Sequence, residues 1–430
     1  MLVDVAIVGS GGAGSSLLLA LDRELTRRRA AGAAVESPSL VVVDPVHRAA
    51  DDRTWCVWDD GVNALESCVH RAWHRVAVET VDGRRVTLEL GRSRYVMVRS
   101  SAVYAAADLA AQRLGAERRT VAVQSIEQDG EAARLSLADG GAVRARWVFD
   151  SRPTAPERPA RTAWWQHFRG WVVQFDEIAG EPGPLTPELP MLMDFSVPQS
   201  PRSVSFGYVL PDDAHRGLVE YTVFSRDRWI DPSKTGDADA DDGDNDGGGD
   251  GDGVSGDGGR PGAQAGGGAG GARYDAELRA YLDRRWPGRG YRVVEVEDGA
   301  IPMSDAYYPQ QVGRRILRLG TAGGSTRPST GYTFATLQRQ VAVVAKRLID
   351  GVDPVPPQPH SARHTWMDAV LLRALDEGLV DGAQLFSTML TANPPARVVD
   401  FLDGRSSLAE DVALMRSLPF TPMLRAALLR

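Results

Sequence analysis

The feature that most constrains the fold is a glycine-rich turn between an apolar strand and a helix. Residues 9–14 have the sequence Gly-Ser-Gly-Gly-Ala-Gly, which matches the pattern G-x-G-x-x-G. We expect a buried strand over Asp4–Val8, a helix over Gly14–Arg29 and a second strand over Leu40–Val43. This order predicts a parallel βαβ unit that binds a dinucleotide, because the turn places backbone amides and a helix N-terminus beside the pyrophosphate.

The glycines of this turn have separate roles in dinucleotide binding. Gly9 permits the tight turn, Gly11 lets the backbone approach the pyrophosphate, and Gly14 lets the helix pack closely on the strand. Asp44 ends the second strand and is placed to accept hydrogen bonds from ribose hydroxyls, although its interval after Gly14 is unusually long. A glycine-rich turn without a ligand is the alternative. The candidate dinucleotide contacts here are Gly9, Gly11, Gly12, Gly14 and Asp44.

The rest of the chain favours FAD over a nicotinamide cofactor. A simple nicotinamide enzyme would continue the parallel winding, whereas here a hairpin and many antiparallel strands follow. The hairpin is expected at Arg75–Glu79 and Val86–Leu90, and a helix at Ser101–Leu114. The antiparallel strands form a meander that returns to the first sheet and then a second system: Val121–Glu127, Ala132–Leu137 and Val143–Phe149, followed by Arg169–Phe175, Ser203–Leu210 and Leu218–Phe224.

A second glycine-bearing strand–loop–helix unit occurs late in the chain, over Leu317–Ala335. Two-domain flavoproteins use a late segment of this kind to close over the flavin ring. Gly320, Gly323 and Gly331 would allow close backbone approach, and a helix over Gly331–Asp350 would point its positive end toward the ring. An ordinary glycine-rich loop is the alternative.

Together these elements predict an α/β fold, in which a Rossmann-like FAD-binding domain carries an interposed antiparallel β-sheet substrate domain and a helical C-terminal tail. The FAD-binding domain is assigned to residues 1–165 and 316–350, the substrate domain to residues 166–315 and the tail to residues 351–430. Residues 234–273 hold nine aspartates and lack apolar periodicity, so we expect a disordered acidic insertion. A calcium-binding repeat would need regularly placed large apolar residues.

Composition excludes several classes of protein. Outside the acidic segment the net charge is close to neutral, which argues against a nucleic-acid binder with a basic face. Cys56 and Cys68 form no disulfide framework or metal-ligand pattern. His70 and His74 have no third ligand, so we interpret them as a solvated helix face and expect no metal. No signal peptide or membrane-spanning run is found, which predicts a cytoplasmic protein.

Several short motifs follow one another in a characteristic order. They are Asp52–Trp58, Val148–Pro153, Met193–Phe195, Tyr208–Pro211 with Leu218–Thr222, Arg327–Phe334 and the tail Phe401–Pro419. In this order the chain resembles the flavin-linked lycopene cyclase family over nearly its whole length, apart from the insertion. Thr321 follows Gly320 where many relatives in the wider flavoprotein group have aspartate, which disfavours an oxygen-using monooxygenase.

The resemblance implies carotenoid biosynthesis, in which the linear ends of lycopene or a related acyclic carotenoid are cyclised to β-rings without net redox change. A carboxylic acid protonates the terminal double bond, a neighbouring double bond attacks the cation, and proton loss gives the ring alkene. The resemblance also implies FAD, active in its reduced form, with NAD(P)H as reductant. Within the matched motifs Glu220 and Asp194 are the candidate acids, and Asp150, Thr330 and Tyr332 are further candidate cofactor contacts.

Glu220 can also be assessed from its neighbours. In the strand Leu218–Phe224 it shares one face with Leu218, Thr222 and Phe224, so its carboxyl is expected among apolar side chains. Burial raises the pKa of a carboxyl and keeps it protonated, as a general acid requires. A glutamate that faces water or pairs with an arginine is the alternative, and the resemblance favours the acid.

The sequence is also compatible with other functions. A FAD-dependent monooxygenase or prenyl-lipid reductase on the same scaffold would consume NADPH in proportion to product. A non-catalytic flavin- or carotenoid-binding protein would convert no polyene. Because the implied substrate is a long apolar polyene, we expect peripheral association with the inner face of the membrane, through an apolar patch in the C-terminal helices.

Overall fold

The computed structural model of the protein describes residues 2–59, 65–228 and 269–429. The strands are β1 (Leu2–Val8), β2 (Leu40–Val43), β3 (Thr54–Asp59), β4 (Val69–Trp73), β5 (Arg75–Glu79), β6 (Arg85–Glu89), β7 (Arg94–Arg99), β8 (Glu117–Arg119), β9 (Val123–Asp129), β10 (Ala132–Leu137), β11 (Ala142–Asp150), β12 (Ala163–Phe175), β13 (Met191–Asp194), β14 (Val204–Pro211), β15 (Arg216–Ser225), β16 (Tyr291–Ser304), β17 (Gln311–Gly313) and β18 (Ile316–Arg318). The helices are α1 (Gly12–Ala30), α2 (Ser100–Leu114), α3 (Ala269–Arg285), α4 (Phe334–Ile349), α5 (Ala362–Asp376), α6 (Gly382–Thr391), α7 (Pro395–Leu402), α8 (Leu408–Met415) and α9 (Phe420–Leu428).

Most of the predicted acidic insertion, residues 234–268, lies outside the described residues. The last five residues assigned to it, 269–273, instead form the first turn of α3. This helix therefore begins six residues before the predicted start at Asp275.

The first sheet contains the predicted dinucleotide-binding unit. β1 lies between β2 and β11 and runs parallel to both, and β18 runs parallel to the end of β11. β9, β10 and β11 form the predicted antiparallel meander, which returns to this sheet through β11. Helices α1, α2 and α4 share one apolar core with β1 and β2. The carboxyl ends of β1, β11 and β18 meet at one edge, where ligands bind in folds of this kind.

The second sheet is the interposed, mainly antiparallel sheet, with strand order β16-β12-β15-β14-β13-β5-β6. Its only described parallel pair joins β13 to β5. The predicted hairpin is formed by β5 and β6, but it pairs into this sheet although residues 75–89 lie within the range assigned to the FAD-binding domain. One face of the sheet packs on α3, and we call it the α3-side face. The other packs on the C-terminal helices, and we call it the tail-side face.

A third sheet, β3-β7-β4, is absent from the sequence prediction. It places His70 on a strand, so its interpretation as part of a helix is wrong; the His70 ring lies 3.0 Å from the Asp212 carboxylate. Helix α4 also differs, since it begins at Phe334 rather than at Gly331. Gly331 has a φ angle of 69°, in the left-handed region, and therefore ends a loop instead of opening the helix.

The C-terminal tail is helical, as predicted, and α5 to α9 follow one another with short connections. Apolar side chains of α5, α6 and α7 pack against the tail-side face in one core. Within the described parts of the chain, no helix is both long and apolar enough to cross a membrane.

Candidate active site

A cavity of about 760 Å³ lies between the carboxyl edge of the first sheet and the tail-side face of the second. Gly12 and Ala13 of the glycine turn line one end, and Glu220 and Phe386 line the other. The volume is typical of pockets that hold cofactors and ligands. One cavity therefore connects the predicted dinucleotide site with the predicted acid.

The predicted cofactor residues divide into two groups. Those that line the cavity are Gly12, Gly320, Thr330, Gly331 and Tyr332. Those that lie outside its described wall are Gly9, Gly11, Gly14, Asp44, Asp150 and Gly323. The second group shapes or supports the backbone around the cavity.

The glycine turn has the shape that a diphosphate requires. A Cβ on Gly14 would lie 1.9 Å from the Gly9 carbonyl oxygen, so only glycine permits α1 to pack this closely on β1. A Cβ on Gly11 would meet, among the described residues, only the Arg48 side chain at 3.9 Å. The open space at Gly11, the N-terminal amides of α1 and the Arg48 guanidinium together suit a bound diphosphate.

Two carboxylates support the edge of the first sheet. Asp44 accepts hydrogen bonds from the backbone N and the Oγ of Ser10, at 2.7 and 3.0 Å. Asp150 forms an ion pair with Arg152 at 2.8 Å, and its backbone carbonyl accepts from the Leu319 N–H at 3.1 Å. Asp44 thus fixes the glycine turn, while its contact with a ribose stays a prediction.

The late glycine segment reaches the same edge, as predicted. A 3₁₀ turn over Gly320–Gly323 follows β18 and places Thr321 and Ala322 on the cavity wall. A Cβ on Gly320 would lie 3.1 Å from the Ala13 Cβ of the glycine turn. The two glycine segments therefore form adjoining walls, and the loop that ends at Gly331 completes the enclosure.

A buried ion pair holds this loop in place. Arg327 and Asp368 of α5 are almost fully buried and lie 3.1 Å apart. Ser329 Oγ donates to the same carboxylate at 2.7 Å, and Arg327 also donates to the carbonyl oxygen of Phe401 in α7. Removing one partner of such a pair typically costs about 3–5 kcal/mol, because the other charge is left buried alone. The tail helices therefore position the loop that carries Thr330.

Glu220 lies in the middle of β15 on the tail-side face, where the two-residue periodicity predicted it. Leu218 and Phe224 line the cavity with it, and Thr222 Oγ1 donates to Glu220 Oε1 at 2.5 Å. Burial raises the pKa of Glu220 to about 8, and the carboxyl of Glu297 acts in the same direction. The side chain therefore keeps its proton at neutral pH.

A second carboxyl, that of Glu297 on the edge strand β16, also lines the cavity. Gly170 of β12 lies in register with both Glu220 and Glu297. Residues in register on adjacent strands share a face, so the two glutamates face the cavity from strands whose backbones are about 10 Å apart. Burial raises the pKa of Glu297, whereas the Thr54 N–H, which donates to its Oε1 at 2.9 Å, acts to lower it.

Glu297 is not a predicted site residue, because the local pattern indicates the opposite face. Val294 and Val296 alternate with it and would be expected to point into a core. In the structure Val296 is 46% exposed at the sheet edge, and Glu297 faces the cavity. The signal that identifies Glu297 is its register with Glu220, which depends on strand pairing.

Asp194, the second candidate acid, is not among the described residues that line the cavity. Its carboxylate accepts from Tyr281 Oη at 3.0 Å and from Ser196 Oγ at 2.6 Å, on the α3-side face. Burial raises its pKa. The pairing of β13 with its neighbours is irregular, and Leu192 and Met193 line the cavity in its place.

Aromatic side chains surround both ends of the cavity. Tyr208 lies in register with Glu220, and its hydroxyl oxygen is 2.7 Å from that of Tyr95. Burial raises the pKa of the neighbouring Cys56 thiol to about 12, so this side chain is neutral. At the dinucleotide end Trp55 stacks on Phe334 with ring centroids 4.9 Å apart. Electron-rich ring faces of this kind can stabilise a cation.

A family model described as "Lycopene cyclase protein" matches residues 4–233 and 271–428. The chain belongs to the lycopene cyclase family. The match stops on either side of the acidic segment, so the segment is an addition to the pattern of the lycopene cyclases. Membership supports a role as an enzyme of carotenoid biosynthesis. A comparison with curated proteins found no match.

Solved structures resemble the chain over nearly its full length. A geranylgeranyl bacteriochlorophyll reductase-like protein from Thermoplasma acidophilum has a TM-score of 0.57 and 12% identity, with 99% of this chain and 98% of that chain covered. A flavoprotein/dehydrogenase from Cytophaga hutchinsonii has a TM-score of 0.56 and 11% identity, with 99% of each chain covered. At these identities the likeness establishes the fold, and the predicted Rossmann-like α/β class is confirmed.

Proposed function

We propose that the protein cyclises the linear ends of lycopene, or of a related acyclic carotenoid, to β-rings without net redox change. One observation carries this proposal. Glu220 is a buried carboxyl with a raised pKa, on an apolar wall of the cavity that reaches the dinucleotide turn, in a chain of the lycopene cyclase family. A buried neutral carboxyl is the group that acid-initiated cyclisation requires.

The reaction begins when Glu220 gives its proton to the terminal double bond of the substrate. Positive charge then develops on the adjacent tertiary carbon, and the next double bond attacks it to close a six-membered ring. The Thr222 hydroxyl orients the Glu220 carboxyl through their hydrogen bond. Loss of one proton from the ring restores an alkene, so that protons gained and lost balance.

The cavity wall around Glu220 fits an apolar polyene end. Its side chains come from the tail-side face and from helices α6 and α7: Leu192, Met193, Phe206, Leu218, Phe224, Phe386, Met389, Leu390 and Leu402. Burying apolar surface here favours the polyene and excludes water that would trap a carbocation. Tyr208 presents a ring beside the acid, where it can stabilise positive charge.

The residues at the other end fit FAD. Gly11 leaves room for the diphosphate, and Arg48 supplies a positive charge beside it. Ala322, Thr330 and Tyr332 enclose the space between the turn and Glu220. When bound, FAD in its reduced form would supply an electron-rich ring that stabilises nearby positive charge. NAD(P)H is the proposed reductant that keeps it reduced.

Expression in a host that accumulates lycopene tests the proposal, with pigments identified by chromatography and mass. We expect ring-bearing products of unchanged mass and NADPH consumption far below the amount of product. NADPH consumption that matches product would instead favour a monooxygenase or prenyl-lipid reductase. Bound flavin with no change in pigment would favour a binding protein.

Cyclisation is expected to decline as the pH rises through about 8. The pKa of Glu220 is raised to about 8, so the carboxyl donates a proton below this value and becomes a carboxylate above it. The initial rate of ring formation in liposomes, measured between about pH 6 and pH 10, should therefore show an alkaline limb. Flavin absorbance across the same range controls for loss of cofactor. A rate that stays constant through the range would contradict the role of Glu220.

We infer that α8 and α9 attach the protein to a membrane surface. Leu408, Val412 and Met415 form an exposed apolar stripe on α8, and α9 continues it with Phe420 and Leu428, which are 74% and 72% exposed. The exposed cations Arg416 and Arg425 accompany the stripes. Two short helices with apolar stripes and flanking cations suit the interface of an anionic membrane, which would hold the polyene substrate.

Replacing Phe420, Leu424 and Leu428 together by serine should lower binding to anionic liposomes at least about tenfold, because three exposed apolar side chains lose their burial in lipid. The measurement is the fraction of protein that floats with the liposomes. A control with serine at Leu109 and Val352, which are also exposed but lie elsewhere, should bind like the wild type. Equal losses in both variants would contradict the assignment of this surface.

A further inference from the structure

We propose that Glu297 is the base that removes the proton from the cyclised cation, and that its position selects the β-ring product. This inference rests on the proposed function. It concerns a residue on a different strand of the same sheet, which lines the same cavity as the acid.

The geometry separates a proton donor from a proton acceptor. Glu220 and Glu297 lie on the two strands that flank β12, each in register with Gly170, so both carboxyls line the same wall of the cavity. A Cβ on Gly170 would lie 2.9 Å from Leu218 Cδ1 and 3.7 Å from the Glu220 Cβ. The strand spacing of about 10 Å between the two backbones allows one substrate end to contact both carboxyls along this wall.

The surroundings of the two carboxyls assign their roles. Glu220 accepts a hydrogen bond from the Thr222 hydroxyl, and burial holds it in the neutral form. Burial raises the pKa of Glu297 as well, but Glu297 accepts a hydrogen bond from the backbone N–H of Thr54 and lies near the guanidinium of Arg53, and both of these favour its charged form. Two carboxyls whose environments differ in this way divide into an acid and a base.

The proton transfers balance. Glu220 loses a proton to the terminal double bond, a carbon–carbon bond closes the ring, and a tertiary cation remains in the ring. One of three neighbouring positions must then lose a proton: the ring carbon that bears the polyene gives the β-ring, the ring methylene gives the ε-ring, and the methyl group gives an exocyclic alkene. The C–H electrons become the new double bond, and the proton passes to Glu297. Exchange with water returns Glu297 to the carboxylate and Glu220 to the acid.

The test compares wild type, Glu297→Gln and Glu220→Gln in lycopene liposomes made in D₂O, with reductant present and pigments analysed by mass and ring type. For Glu297→Gln we expect β-ring formation to fall at least about tenfold. We also expect deuterium in recovered lycopene or in ε-ring and exocyclic products, because the acid still works. Glu297→Asp should recover part of the β-ring product. Glu220→Gln should introduce no deuterium.

Several outcomes would overturn the inference. One is β-ring formation by Glu297→Gln at the wild-type rate and with the wild-type ratio of ring products. Another is loss of ring products with no deuterium in the recovered lycopene. Glu89→Gln, at an exposed position on the far edge strand of the same sheet, is the matched control and should behave like the wild type. If the wild type itself forms no rings, the proposed function fails, which is a separate result.

Discussion

Replacing Glu220 by glutamine is expected to slow cyclisation by about 10²- to 10⁴-fold, because the amide keeps the size of the side chain but has no acidic proton to give. Glu220→Asp should keep a little activity, since the acid remains but is withdrawn by about one carbon–carbon bond, and a misplacement of that scale costs roughly 10²-fold. The measurement is the carotenoid profile set against flavin absorbance in one host. A glutamine variant that cyclises near the wild-type rate would remove the central residue of the mechanism.

Stability provides a control that the Glu220→Gln protein is folded. The folded-state pKa of Glu220 is raised from 4.5 to about 8, so the folded protein holds this proton more tightly than the unfolded chain. Its contribution to stability is complete below about pH 4.5 and is lost as the pH rises through about 8. The glutamine variant should therefore melt at a higher temperature than the wild type above pH 8, and the difference should shrink as the pH falls. A second control is Asp194→Asn. Because Asp194 is not among the described residues that line the cavity, this variant should leave the proton transfer from Glu220 intact.

Replacing Gly11 by valine is expected to abolish flavin binding while the fold remains. A side chain at this position has open space in the structure, with only Arg48 within 4 Å among the described residues, so it need not disturb the turn. It would instead fill the space into which a diphosphate must come. The measurement is the flavin absorbance of purified protein per polypeptide. Full flavin occupancy in this variant would show that the dinucleotide site is wrongly assigned.

Gly14 offers a contrast to Gly11. A Cβ there would lie 1.9 Å from the Gly9 carbonyl oxygen, so Gly14→Ala is expected to disrupt the packing of α1 on β1 as well as flavin binding. Circular dichroism and thermal melting separate the two effects. Gly11→Val should melt like wild-type protein from which the flavin has been removed, whereas Gly14→Ala should melt lower.

Much of the site could be predicted because it depends on short-range patterns. The order strand, glycine turn, helix predicts the dinucleotide unit from the adjacent residues 4–29, and a two-residue period places Glu220 on the face of Leu218. The late glycine segment could also be predicted from adjacent residues, although Gly331 ends a loop and does not begin α4. In each case the neighbours along the chain determine the environment.

The parts that could not be predicted depend on pairing between distant segments. Glu297 faces the cavity because β16 pairs with β12. The alternation with Val296 along the chain instead predicts that Val296 points into a core and Glu297 points away from it. Asp194 turns toward α3 because β13 pairs irregularly with β14 and β5. This irregular pairing cannot be predicted from the residues next to Asp194 in the sequence. The sheet formed by β3, β4 and β7 could not be predicted for the same reason, because it depends on pairing between strands that are separated along the chain.

The buried pair of Arg327 and Asp368 has a consequence for the order of events during protein synthesis. Arg327 also contacts the Phe401 carbonyl, so the loop beside Thr330 gains its fixed shape only when α5 and α7 have docked. These helices follow the glycine turn in the chain and leave the ribosome after it, and earlier regions can begin to fold while translation continues. The glycine turn can therefore form early, whereas the loop beside Thr330 takes its final shape only after α5 and α7 have been synthesised.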